Sequence, residues 1–135
     1  MVLAIVFWAP YDFTDDRALI KRRLEAFQSM PFVRMQGGSD IHSLFQVIRM
    51  VAWFAPLGAL AAMCVARSAC SWKTRRIGFI LAAAGVAGWA VTIELGQVLL
   101  PSRFADFSDV MVFVLGGWFG LVVTARLATW HAPVE

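Results

Sequence analysis

Glu94, Gln97, Arg103, Asp106 and Asp109 stand close together in the run TIELGQVLLPSRFADFSDVMVFVLGG, between two long apolar stretches. An ionisable side chain at hydrocarbon depth costs roughly 2.5–3.5 kcal/mol on insertion scales, so polar groups gathered at one membrane edge read as a site. Neighbouring carboxylates can divide acid and base roles, and a guanidinium can clamp an anion or fork across two carboxylates. Three carboxylates could also hold Mg²⁺ against a phosphate. No Ser, Cys or His accompanies them as a nucleophile, and Ser102 and Ser108 read as turn or cap residues. The five residues are therefore taken as a binding or polar cluster, with no catalytic residue assigned and no cofactor or metal expected. Two readings stay open: a buried ion-pair and hydrogen-bond network that fixes helix register, or direct contact with a ligand.

The elements that must position these groups follow from their spacing. Glu94 and Gln97 are three apart and share one helix face. Ala84, Gly88, Thr92 and Gly96 form a small-residue stripe on a roughly opposite face, suited to close contact with a neighbour. On the next helix, at about 100° per residue, Asp106, Asp109, Phe113, Gly116 and Gly120 fall within roughly 80° of arc. That face carries a GxxxG. Pro101 and Ser102 make the turn between the two helices, which brings Arg103 within reach of Glu94, Asp106 or Asp109. Arg103 is the one basic residue between Arg76 and Arg126, and so the expected electrostatic centre of the cluster.

Composition sets the class of the scaffold. Hydrophobic residues make up 60% of the chain and charged residues 16%, against roughly 45–50% and 25% in soluble domains. The expectation is an all-α integral membrane bundle forming one domain over residues 1–135. Three windows reach the roughly 20 apolar residues a span requires, at 44–66, 77–100 and 107–129, with Pro56 and Gly58 expected to kink the first. The apolar stub 1–10 is too short to span and has neither a basic n-region nor a cleavage site. It reads as the tail of a truncated helix or as a half-inserted anchor. Residues 14–30 read as an amphipathic surface helix, capped by Thr14, with Ile20, Leu24 and Phe27 on its apolar face, and ended by Pro31 and Gly37-Gly38. Arg49 reads as snorkelling from the first span to the interface, or as part of the site.

The loop 67–76 carries Arg67, Lys73, Arg75 and Arg76, which under the positive-inside rule places it in the cytoplasm and the polar cluster on the outer face. The net charge of +3 flanks apolar spans, so it points to topology and anionic lipid, not to nucleic acid. Cys64 and Cys70 lack metal-ligand spacing.

The pattern E-x-x-Q from Glu94, P-x-R from Pro101, D-x-x-D from Asp106 and G-x-x-x-G from Gly116 resembles the VanZ-like family of small bacterial membrane proteins, some of which are linked to teicoplanin resistance. Phe54-Ala55-Pro56-Leu57-Gly58 and Trp8-Ala9-Pro10-Tyr11-Asp12-Phe13 are similar to two further segments of that family. The resemblance carries the shared polar positions onto Glu94, Gln97, Arg103, Asp106 and Asp109, and implies a multi-pass protein of the bacterial cytoplasmic membrane. Two asparagines usual in the family are missing, with Phe113 at one place and Met50 near the other. The expected function is that of a non-enzymatic envelope factor whose outer-face cluster binds a lipid-linked cell-wall intermediate or a membrane protein partner, affecting glycopeptide susceptibility. The alternative is a membrane enzyme using Glu94, Arg103, Asp106 and Asp109 on a lipid phosphate or glycan.

Overall fold

A computed structural model describes residues 2–27, 40–68, 71–103 and 105–130, in which all regular structure is helical. Five helices follow one another: α1 (Val2–Trp8), α2 (Arg17–Phe27), α3 (Asp40–Ser68), α4 (Trp72–Val98) and α5 (Phe107–Trp130). Three of them contain stretches long and apolar enough to cross a membrane, Leu44–Ser68, Trp72–Val98 and Phe107–Ala128. α4 starts five residues before the expected 77, because Ser71 and Thr74 close a reciprocal capping box ahead of the basic residues. Charge ends the apolar run there without ending the helix. Pro31, Gly37, Gly38, Arg34 and Cys70 lie outside the described residues.

α3 and α5 form the tightest pair. A Cβ on Gly58 would fall closer to the Gly117 carbonyl oxygen than the 3.0 Å real Cβ atoms keep, and one on Gly120 would do the same against Ala55. One on Gly116 would lie 2.9 Å from Val51 Cα. Backbone thus rests on backbone, the contact small residues permit between membrane helices. Gly58, expected at a kink, is a contact residue, and α3 stays one continuous helix through Pro56. The α4 stripe behaves differently from expectation: Ala84, Gly88 and Thr92 are exposed, and nothing lies within 4 Å of a Cβ placed on Gly88. Only Gly96 is used, beneath the indole of Trp8.

The core gathers Met50, Phe54, Val86, Ala90, Ile93 and Phe113, with Leu3 and Phe7 of α1 packed against it. Phe113 is stacked on Phe54 at 4.4 Å and meets Phe7 edge-on at 5.1 Å. Outside this layer Leu60, Ile80, Leu81 and Leu115 are each more than half exposed, as lipid-facing residues of spanning helices are.

α1 and α2 lie against the far end of α4. α2 starts at Arg17, not Thr14, because the side chain that accepts from its first free amides, Ala18 and Leu19, is Asp16. Thr14 instead accepts from Asp16 N at 3.2 Å. The inward face of α2 is carried by Leu19, Ile20, Arg23 and Phe27, while Leu24, expected there, is 42% exposed.

Candidate functional site: the polar end of the bundle

The end of α4 and the start of α5 bring Glu94, Gln97, Asp106 and Asp109 to one end of the bundle. Glu94 is fully buried, and its Oε1 accepts from Asp106 N at 2.7 Å. Asp106 Oδ1 in turn accepts from Ser108 N at 2.8 Å, so Asp106 is the N-cap of α5, and Asp109 lies in the first turn. In a capping box the third helical residue reaches back to the N-cap amide; here Glu94 does so from the preceding helix. Two carboxylates and Ser108 therefore lock the register of α5 on α4. Asp106 and Asp109 also meet the positive end of the α5 dipole. Among the described residues no three of His, Cys, Asp and Glu converge as a metal-ligand group.

Arg103 stands apart from these carboxylates. Its Nε and Nη2 donate to the Ala9 carbonyl at 2.9 and 2.6 Å, and the residue is exposed. The expected fork across Glu94, Asp106 or Asp109 is replaced by a tie between the α4–α5 turn and the end of α1. A guanidinium beside an unmet carbonyl at a helix end gains a charge-assisted hydrogen bond without desolvating a second charge. Arg49 is exposed on α3, in keeping with a side chain reaching the interface.

Sequence reasoning missed three residues that hold this end together. Trp8 donates from Nε1 to the Ile93 carbonyl at 3.0 Å, and Asp12 accepts from Ser102 N and Oγ at 3.1 and 2.8 Å. Both belong to the Trp-Ala-Pro-Tyr-Asp-Phe segment, whose likeness to a family pattern was the available signal. The third is Arg23. It donates to the carbonyls of Leu100, of Pro101 at 2.7 Å and of Arg103 at 2.7 Å. The carbonyls left over where α4 stops are thus met from α2, some 75–80 residues away in sequence, and no local pattern announces it.

Arg23→Ala should lower stability by about 3 kcal/mol, the upper range for a hydrogen bond to a charged group. Arg23→Lys should recover only part, because a single ammonium cannot serve several divergent acceptors as a guanidinium does. Thermal unfolding in detergent measures both; a wild-type melt for Arg23→Ala would show that the turn keeps its shape without it.

Fold and site together define a small multi-pass helical membrane protein with Glu94, Asp106 and Asp109 gathered at one end of the bundle. The VanZ/LLP1 family model matches residues 1–128, and the chain belongs to that family. No match was found among curated proteins or solved structures.

Proposed function

We propose that this VanZ-family protein is a non-enzymatic factor of the bacterial cell envelope. Its polar end faces outward and binds a lipid-linked cell-wall intermediate, with an effect on susceptibility to glycopeptides such as teicoplanin. The observation that carries the reading is Gln97. It is 7% exposed and lies one turn from Glu94, at the end of α4. Keeping a polar amide beside a buried carboxylate in an otherwise apolar layer costs free energy, which supports a ligand contact beneath the α4–α5 turn. The enzymatic reading needs cations aimed at a reacting phosphate. Arg23 and Arg103 instead donate to backbone carbonyls, Arg23 to Leu100, Pro101 and Arg103, and Arg103 to Ala9.

The test is binding of a polyprenyl-pyrophosphate-linked disaccharide pentapeptide to the purified full chain in nanodiscs. Gln97→Leu removes the amide at nearly constant volume, so it should keep or raise the melting temperature and weaken binding about tenfold, the loss of one buried hydrogen bond. Unchanged binding by Gln97→Leu, or none by the wild type, would overturn the proposal. Magnesium-dependent turnover of the same lipid would move the protein to the enzymatic reading.

A further inference from the structure

At the end of the bundle opposite Glu94, the start of α4 and the ends of α3 and α5 border a groove of about 870 Å³. Ligand sites span roughly 300–1,000 Å³. Phe79, Ile80 and Ala83 of α4 form one wall, and Trp118, Leu121 and Val122 of α5 form the other. A smaller recess between the same helices shares Ala83, Trp118 and Leu121, so the cleft continues toward the middle of the bundle. Its origin is the short side chains facing it: alanines at 66, 83, 125 and 128 cannot fill the space between the helices. The groove opens toward lipid, since Ile80 is 60% and Trp118 55% exposed.

The mouth of this groove is basic. Arg75 and Arg76 border it from α4 and Arg126 from α5, and none of the described lining residues is acidic. The sequence explains the imbalance, because no Asp or Glu occurs between Asp40 and Glu94, nor between Asp109 and Glu135. Arg76 lies over the ring of Trp72 at 5.8 Å from its centroid, and that ring is 71% exposed. An indole at a span end sits at headgroup depth, and the stacked guanidinium is held at that depth with it.

We propose that this groove holds one anionic phospholipid of the surrounding leaflet. Its phosphate lies among Arg75, Arg76 and Arg126, and one acyl chain runs along Phe79, Ala83 and Trp118. Arginines from two helices border the same groove, and their planar donors match phosphate oxygens. The apolar walls lead from that basic mouth toward the middle of the bundle. A zwitterionic lipid fits the walls equally but brings its own cation to the mouth, so charge decides the occupant. The site is separate from the polar end and does not depend on the function proposed for it.

Native mass spectrometry of the full chain in detergent, titrated with phosphatidylglycerol or phosphatidylcholine of the same acyl chains, tests the assignment. One phosphatidylglycerol should bind about tenfold or more tightly than phosphatidylcholine. Arg75→Gln with Arg76→Gln should bring the two within about twofold, whereas Arg17→Gln with Arg22→Gln, at the other end of the bundle, should leave the preference intact. Ala83→Phe should narrow the groove and weaken binding of both lipids, which tests the chain path independently of charge. Equal affinities in the wild type, a preference surviving the Arg75/Arg76 change, or one abolished equally by the Arg17/Arg22 change would overturn the proposal.

Discussion

Gly120→Ala should leave little folded protein on detergent extraction. The added methyl would meet the Ala55 carbonyl at a distance no real Cβ keeps, and the obstacle is backbone, which has no rotamer to change. Overpacking usually costs about 1–3 kcal/mol where side chains can shift. Here α3 must move away from α5 along the contact that also includes Gly58, Gly116 and Gly117, so the loss should be about 4 kcal/mol or more. That is a large fraction of the roughly 5–15 kcal/mol that holds an ordinary domain together. Gly58→Ala should behave alike, since its Cβ would meet the Gly117 carbonyl. Gly85→Ala and Gly88→Ala are the matched controls: no atom lies within 4 Å of either new Cβ, and alanine favours a helix by up to about 1 kcal/mol over glycine. The yield of monodisperse protein and its melting temperature separate the two groups. If Gly120→Ala melts with Gly88→Ala, α3 and α5 are not in backbone contact.

These two sets of glycines show how far the sequence could be read. Both α4 and α5 carry small residues at helical spacing, and the spacing says that a close approach is possible without saying that a partner comes. On α5 the partner is α3, and it comes. On α4 most of the stripe faces outward, because a small residue against lipid carries little penalty when tails are as apolar as side chains. The carboxylates were legible for a different reason. Burying Glu94 between two spans requires a donor, and the first amides of the next helix are the nearest that any chain with this turn supplies. Arg103 was not legible, because charge in the sequence points to the carboxylates while the open Ala9 carbonyl is brought beside it only by the fold. Arg23 was out of reach, since the groups it serves become neighbours only once α2 has docked on α4.

The replacement with the other large effect is Phe113→Asn, although Phe113 shares its helix face with Asp106 and Asp109. That face does hold both carboxylates, but they belong to the N-cap and first turn of α5. By position 113 the helix has descended into the layer of Met50, Phe54, Ala90 and Ile93. Phe113 has no exposed surface, and its ring is flanked by Phe54 and Phe7. Met50, near the place of the other asparagine that the resemblance leads one to expect, belongs to the same cluster, so both positions lie in one apolar core. An asparagine at 113 alone would open a cavity about half the size of a phenyl ring, at about 2–4 kcal/mol. It would also leave its amide without an acceptor or donor, at about 1–3 kcal/mol more. Phe113→Leu keeps an apolar branched side chain and loses chiefly the aromatic contacts, about 2 kcal/mol in all. Melting temperatures in detergent should therefore fall in the order wild type, Phe113→Leu, Phe113→Asn, with the last failing to purify as a monodisperse species. An asparagine variant as stable as the leucine variant would mean that a polar group reaches this layer, and that the carboxylate cluster extends a full turn deeper than its hydrogen bonds indicate.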